Sequence, residues 1–335
     1  MEIGYRFLTI ADIKQYTFNE DVDSECILQS GLDLYKESII NYPHKHDDDD
    51  YAMCIAVASG KIVGRFVLFP TVLKVGGDSL PILTGGGILV SEKYRGYGIG
   101  TNLIKSVLEK DVYLGALYTR AAYNIVRKTE IMLEIPQYVK YRYHGLKKIL
   151  DLPIYLRQAL LSRHYVVKEL TVVPEWAETM ATSDDHKYME VHNTAWLQWS
   201  LDNDATGIKE DYQSFYAIYD KKEVPVGFFM TKVRHLEQEG NPFVKANLIE
   251  WASSDHSKLD EADINILSLA TYPPEVSRFW TISENPRTAS KLKRHAYKRK
   301  GWFAMSITKD DRFNDIGNVS QWRIRYGCCN TALVE

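Results

Sequence analysis

The chain has 335 residues, 45% apolar and 25% charged, and its 41 basic and 44 acidic residues give a formal charge of −3. This composition is typical of a folded globular protein and excludes a disordered, collagen-like or coiled-coil chain, while the length predicts two domains. We expect no signal peptide, no stable membrane insertion and, from four scattered cysteines, a cytoplasmic location. The acidic balance argues against nucleic acid as a partner.

The first part of the chain is predicted to form strands joined by hairpin turns and then strands alternating with helices. The predicted strands are residues 5–10, 51–58, 62–73, 80–90 and 113–119, and the predicted helices are 27–40, a helix beginning near 100, and 121–133. A helix broken or restarted at Pro153 follows over residues 145–164. It marks the predicted junction between two domains.

The order of elements then begins again, which suggests a duplicated fold. The predicted strands of this second part are 165–173, 215–219, 224–233, 246–252, 278–283, 302–308 and 321–326, with helices near Trp196 and over 260–270 and 288–299. We therefore predict an α/β fold of two tandem domains, each a mostly antiparallel mixed sheet flanked by helices. The predicted boundaries are 1–144, a connecting helix over 145–165, and 166–335.

The most specific motif is the glycine-rich turn after the strand that ends at Val90. Glycines allow backbone N–H groups to converge on an anion, and the start of the following helix adds partial positive charge, so a pyrophosphate fits here. The turn does not match a P-loop, because no lysine precedes Thr101, nor a dinucleotide fold, because five residues separate Val90 from Gly96.

The turn resembles the acyl-CoA loop of the Gcn5-related N-acetyltransferase (GNAT) superfamily, Arg/Gln-Xaa-Xaa-Gly-Xaa-Gly/Ala, at Arg95, Gly98 and Gly100. The resemblance implies acetyl-CoA as cosubstrate, without a metal, and a bulge near the glycines at 85–87. It implies that the pantetheine arm and the pyrophosphate are bound by Ile88, Leu89, Val90, Arg95, Gly96, Tyr97, Gly98, Ile99, Gly100 and Thr101. The tandem arrangement is similar to family members whose degenerate second domain walls the acceptor cleft.

Acyl transfer to an amine also needs a base and a proton donor for the leaving thiolate. The family usually offers a tyrosine on the helix after the fifth strand, and here Tyr123 and Tyr118 are the candidates, although Ile125 or Val126 occupies the usual position. Glu250 is a candidate base if it faces a cleft between the domains. Packing tyrosines and a paired glutamate are the competing interpretations.

The second half lacks a glycine-rich loop after residues 246–252, so we expect one CoA site per chain. Residues 138–168 and 286–300 are strongly basic. The first indicates an interdomain helix or, alternatively, peripheral membrane contact. The second indicates a solvated face or, alternatively, a surface that attracts an anionic acceptor such as a nucleotide-linked sugar. The predicted function is transfer of an acyl group from acyl-CoA to a small-molecule amine. The alternatives are an aminoacyl transferase of the peptidoglycan-bridge type and a non-catalytic acyl-CoA sensor. The oligomeric state stays open.

Overall fold

The structure is a computed structural model that describes residues 2–16, 32–110, 113–116, 120–127, 131–203, 210–307 and 313–330. The strands in these ranges are β1 (Ile3–Thr9), β2 (Tyr51–Ala58), β3 (Lys61–Val75), β4 (Asp78–Val90), β5 (Tyr113–Ala116), β6 (Ile131–Tyr141), β7 (Tyr165–Leu170), β8 (Tyr188–Glu190), β9 (Tyr212–Asp220), β10 (Pro225–Gln238), β11 (Asn241–Ser253), β12 (Val276–Ile282), β13 (Lys298–Ile307) and β14 (Trp322–Arg323). The α-helices are α1 (Ile10–Gln15), α2 (Leu32–Ile40), α3 (Ile99–Leu108), α4 (Arg120–Val126), α5 (Leu152–Leu161), α6 (Trp176–Thr182), α7 (Thr194–Asp202), α8 (Glu261–Ser268) and α9 (Pro286–Arg294). None of these helices combines the length and apolarity that a bilayer-crossing segment requires.

The strands form one sheet in the order β1-β2-β3-β4-β5-β13-β6-β12-β11-β10-β9-β7, and β8 joins it by pairing with β3 and β14. Neighbouring strands are antiparallel except for β4–β5, β11–β12 and β8–β14, which are parallel. The predicted fold class, a mixed and mostly antiparallel sheet flanked by helices, is therefore confirmed.

Two strands cross between the halves of the chain. Strand β13, from the C-terminal half, lies between β5 and β6, and its residue Ser306 is paired with Gly115 on one side and Met132 on the other. Strand β6 in turn lies between β13 and β12, where Tyr138 is paired with Arg299 and Thr281. The sheet therefore runs through the predicted domain junction without interruption, and the domain boundaries stay a prediction.

The crossing strands account for two errors in the predicted elements. The helix predicted over 121–133 ends at Val126, and residues 131–141 form β6. The helix predicted over 288–299 ends at Arg294, because Ala296 adopts a left-handed φ of 63° and Tyr297 N–H donates to Leu292 O at 3.3 Å, which closes the helix. In both segments, pairing with strands distant in sequence outweighs the local helical pattern.

The end of the chain also differs from the prediction. Only Trp322–Arg323 of the predicted strand 321–326 is paired. Cys328 and Cys329 lie in a single 3-10 turn and both are buried, with Cys329 in the left-handed region. Both cysteines therefore lie in a buried turn that follows the last paired strand.

Helix α3 is held against β2, β3 and β4 by four buried side chains: Ile99, Leu103, Ile104 and Val107. A Cβ on Gly64 of β3 would lie 3.0 Å from Ile99 Cγ2 and 3.3 Å from Leu89 O, so glycine permits this close packing of helix on sheet. The contact fixes the N-terminus of α3 beside the last residues of β4.

Candidate active site

Strand β4 continues beyond its described pairing with its parallel neighbour. Among the described residues, pairing between β4 and β5 covers Leu83–Gly85. A register shift against β3 follows, with Gly87 at a φ of 63°, which is the bulge expected at this glycine run. Leu89 and Val90 pair with β3 on one edge, and no other described strand pairs with the main chain of Ile88–Val90.

The loop between β4 and α3 folds tightly around Arg95. A 3-10 turn spans Glu92–Tyr94, and the Arg95 guanidinium donates to Glu92 Oε1 at 3.1 Å and to Val90 O at 3.4 Å. Gly96 and Gly98 then adopt φ values of 90° and 74°, which residues with a Cβ rarely adopt. The hydrogen bonds of Arg95 thus stabilise the loop, and the positive φ values of the two glycines determine its backbone conformation.

The N-terminus of α3 carries donors without helical partners. Gly98 is the N-cap residue, it supplies no capping side chain, and the first helical bond runs from Asn102 N–H to Gly98 O at 3.0 Å. The amides of Ile99, Gly100 and Thr101 therefore have no acceptor within the helix. A Cβ on Gly96 or Gly98 would meet no atom within 4 Å, so space is open in front of these donors.

Tyr123 lies on α4, half-buried, and its hydroxyl donates to Glu134 Oε1 of β6 at 2.6 Å. This hydrogen bond raises the pKa of Tyr123 above its usual 10, with further contributions from desolvation and from the charge of Glu134. Tyr118, the other predicted proton donor, lies outside the described residues. Tyr123 keeps its predicted role as a proposal, and Glu134 is a partner that the sequence alone did not single out for it.

Glu250, the predicted base, does not face a cleft. Its side chain has no exposed surface, and it accepts hydrogen bonds from Arg323 Nη2 at 2.6 Å and from His192 Nδ1. Burial alone would raise the pKa of Glu250, but the charge of Arg323 and the bond from His192 outweigh burial and lower it to about 2. A carboxyl group with this pKa is a weak base, and its contacts are those of a buried ion-pair network.

Comparisons with known proteins give the same fold and motif. Residues 17–122 match the family model "Acetyltransferase (GNAT) family". The match covers about a third of the chain. It includes β4, the glycine-rich loop and α3, so the family resemblance of the loop is confirmed. Curated protein sequences gave no match.

Solved structures resemble the whole chain, far beyond the GNAT segment. N-myristoyltransferase of Saccharomyces cerevisiae with bound myristoyl-CoA matches 91% of this chain and 82% of its own, with 10% identity and a TM-score of 0.55. A probable N-acyltransferase of unknown function from Enterococcus faecalis V583 matches 93% and 74%, with 13% identity and a TM-score of 0.55. A GCN5-related N-acetyltransferase from Kribbella flavida matches 90% and 71%, with 12% identity and a TM-score of 0.50. At these identities the likeness shows the GNAT acyltransferase fold and nothing finer.

Among the described residues, one group could hold a metal ion. Glu190, His192 and Cys328 each offer a ligand atom within 4.8 Å of the other two, and all three are buried. His192 is stacked on Trp196 with ring centroids 3.7 Å apart. Sequence analysis missed this group because Cys328 lies more than 130 residues from Glu190 and His192 in the chain.

The second half of the chain contains a cavity of about 620 Å³ beside the N-termini of α8 and α9. Its walls include more acidic than basic side chains, among them Asp184, Asp185, Asp260, Glu261 and Glu284. Burial and the neighbouring Glu284 raise the pKa of Glu261 to about 8. The number of CoA sites in the chain stays a prediction.

Proposed function

We propose that the protein is an acyl-CoA-dependent N-acyltransferase that transfers an acyl group, with acetyl as the expected group, to the amine of a small molecule. The observation that carries this proposal is the juxtaposition at the glycine-rich loop: an uncapped helix N-terminus lies beside the end of β4, whose last residues pair only with β3 among the described strands. Such a pair can bind the two chemically different parts of one coenzyme.

In this proposal the amides of residues 96–101 bind the pyrophosphate, because they point from a left-handed glycine turn and a helix N-terminus toward open space. The main chain of Ile88, Leu89 and Val90 binds the amide groups of pantetheine as an added strand would. The thioester then lies near the bulge at Gly87.

The reaction forms a C–N bond and breaks the C–S bond of the thioester. The amine must first lose a proton, because an alkyl ammonium ion has a pKa of ~10.4 and no lone pair. A backbone N–H near the bulge stabilises the oxyanion. The protons that the amine loses pass to water. Tyr123 gives its hydroxyl proton to the departing thiolate in place of its hydrogen bond to Glu134 Oε1, and it then regains a proton from water.

Calorimetric titration with acetyl-CoA tests the binding site. We expect saturable binding by the wild type and a loss of at least about tenfold in affinity for Gly98→Glu, because a carboxylate would stand before the phosphate donors. Gly60→Glu is the matched control: Gly60 has a φ of 76°, lies in the β2–β3 turn and likewise has no atom within 4 Å of its Cβ position. No binding by the wild type, or equal losses in both variants, would refute the proposed site.

Release of free thiol in the presence of a panel of amines tests catalysis. Turnover with at least one amine is the expected result. Binding without turnover on any amine would instead favour an acyl-CoA sensor. The burial and low pKa of Glu250 are compatible with this alternative, because they make Glu250 unsuited to act as the base.

A further inference from the structure

One face of the segment that joins the two halves carries an unusual density of exposed apolar side chains. Leu146 is 96% exposed, Ile149 is 72% exposed, and the other members are 49–59% exposed. We call this set the 146–160 surface: it consists of Leu146, Ile149, Leu150, Leu152, Tyr155, Leu156 and Leu160. They belong to a 3-10 helix (Gly145–Asp151) and to α5, which follows it directly.

The opposite side of α5 is attached firmly to the body of the protein. Ile154 and Leu161 are buried, Arg157 forms a two-pronged ion pair with Asp263 at 2.8 and 2.9 Å, and Gln158 Nε2 donates to Ile266 O at 2.9 Å. Helix α5 is therefore apolar on both sides, whereas a helix that faces water normally has a polar outer side. The outer side is therefore an exposed apolar patch on a firmly attached helix, which is typical of an interaction surface.

The charge around this surface is strongly positive. Residues 140–164 contain six Lys or Arg and one acid, Asp151. That acid is buried and paired with Lys140 at 2.6 Å, so it offsets a buried lysine and not the outer ones. Lys147, Lys148 and Arg163 are exposed and form no ion pair with any other described residue.

A cavity of about 500 Å³ opens beside the apolar side chains. Its lining includes Arg142, His144, Lys148 and Tyr155, the last of which is also part of the 146–160 surface. Apolar surface and basic groups thus adjoin within one segment. This combination is typical of protein elements that lie in the headgroup region of a membrane, where apolar side chains enter the acyl boundary and lysines remain near phosphates.

We infer that the 146–160 surface docks the protein on the surface of an anionic phospholipid bilayer. The charge argues for this occupant over a second copy of the chain, since a two-fold interface would bring the same unpaired Lys147 and Lys148 together. This mode of binding needs no helix that crosses the bilayer, because one side of the segment packs on the protein and its other side lies along the membrane surface.

Co-sedimentation with vesicles tests the inference. The probes are vesicles of phosphatidylcholine alone and of equal parts phosphatidylcholine and phosphatidylglycerol. We expect the wild type to partition at least about tenfold more strongly onto the anionic vesicles, and to lose that preference at high salt. Equal partition on both vesicle types, or none on either, would overturn the inference.

Variants separate the apolar and basic contributions. Leu146→Ser/Ile149→Ser/Leu156→Ser changes only exposed side chains and should reduce partition at least about tenfold, while Lys147→Glu/Lys148→Glu should remove the preference for anionic lipid. The matched control is Val172→Ser/Val224→Ser, which also removes exposed apolar groups, 71% and 51% exposed, but outside the segment. This control should bind as the wild type does.

Two further results would contradict the inference. One is wild-type binding by the triple variant, with thermal unfolding unchanged. The other is a concentration-dependent dimer in sedimentation velocity that the triple variant abolishes, since a second copy would then cover the surface. Neither assay depends on acyl transfer, so failure here is distinct from failure of the proposed enzymatic function.

Discussion

Replacing Glu250 by glutamine removes one charge from the centre of the buried ion-pair network and leaves the shape of the side chain unchanged. Arg323 donates to Glu250 at 2.6 Å and also lies 3.4 Å from Asp184, while Arg325 lies 3.8 Å from Glu250 and 3.1 Å from Glu284. The substitution therefore weakens the compensation of two buried arginines without stranding either one. We expect Glu250→Gln to destabilise the protein.

The size of the effect follows from the pKa. The pKa of Glu250 is about 2 in the folded protein, against 4.5 for an ordinary glutamate. At ~1.4 kcal/mol for each pKa unit, the carboxylate contributes about 3 kcal/mol to folding at neutral pH. This agrees with the 3–5 kcal/mol typical of removing one partner from a buried ion pair. Because the folded pKa is the lower one, the contribution is complete above pH 4.5 and is lost as the pH falls toward 2.

Urea unfolding followed by circular dichroism at pH 7 measures the loss. The matched control is Glu223→Gln, which removes the acid of the exposed Lys168–Glu223 pair, 3.3 Å apart, and should cost less than about 1 kcal/mol. The slope of the free energy of unfolding against urea concentration should stay the same in both variants. If Glu250→Gln cost no more than Glu223→Gln, the account of a mutually compensating buried network would be wrong.

Three further predictions follow from single contacts. Burial and Glu284 raise the pKa of Glu261 to about 8, so the wild type loses stability as the pH rises from 4.5 through 8. Glu261→Gln should therefore unfold at a higher urea concentration than the wild type at pH 9 and at about the same urea concentration at pH 5. Equal dependence of the two urea midpoints on pH would contradict this. Gly327→Val should lower the free energy of unfolding by about 1–3 kcal/mol, since a Cβ there would lie 2.8 Å from Trp196 Cη2, and an unchanged urea midpoint would refute it. Tyr123→Phe should lower turnover about tenfold or more with unchanged acetyl-CoA affinity by calorimetry, and unchanged turnover would remove Tyr123 from the mechanism.

The parts of the fold that depend on local chemistry were predictable from the sequence. The hairpins of β2, β3 and β4 follow from alternating apolar residues and glycine turns. The loop before α3 follows from its glycines, because Gly96 and Gly98 have positive φ values that few other residues adopt. The bulge at Gly87 belongs to the same class of local signal.

The parts that depend on distant residues were not predictable. Strand β6 is defined by pairing with β12 and β13, which lie more than 130 residues away in sequence. Glu250 reads as one isolated carboxylate in the sequence, and only folding brings His192 and Arg323 to it. The same holds for Tyr123 and Glu134, whose hydrogen bond joins a helix to a strand that the local pattern did not indicate.

The exchange of strands between the two halves has a consequence for how the chain folds. Strand β5, which pairs with β4, has β13 as its other neighbour, so the sheet of the N-terminal half is complete only after residues 298–307 have been synthesised. Pairings that distant in sequence give a high contact order and slow folding. During translation, β5 would expose an unpaired edge until the last part of the chain emerges, and such edges are sites of aggregation. A fragment ending near residue 144 would carry this exposed edge permanently, and only the intact chain supplies the strand that covers it.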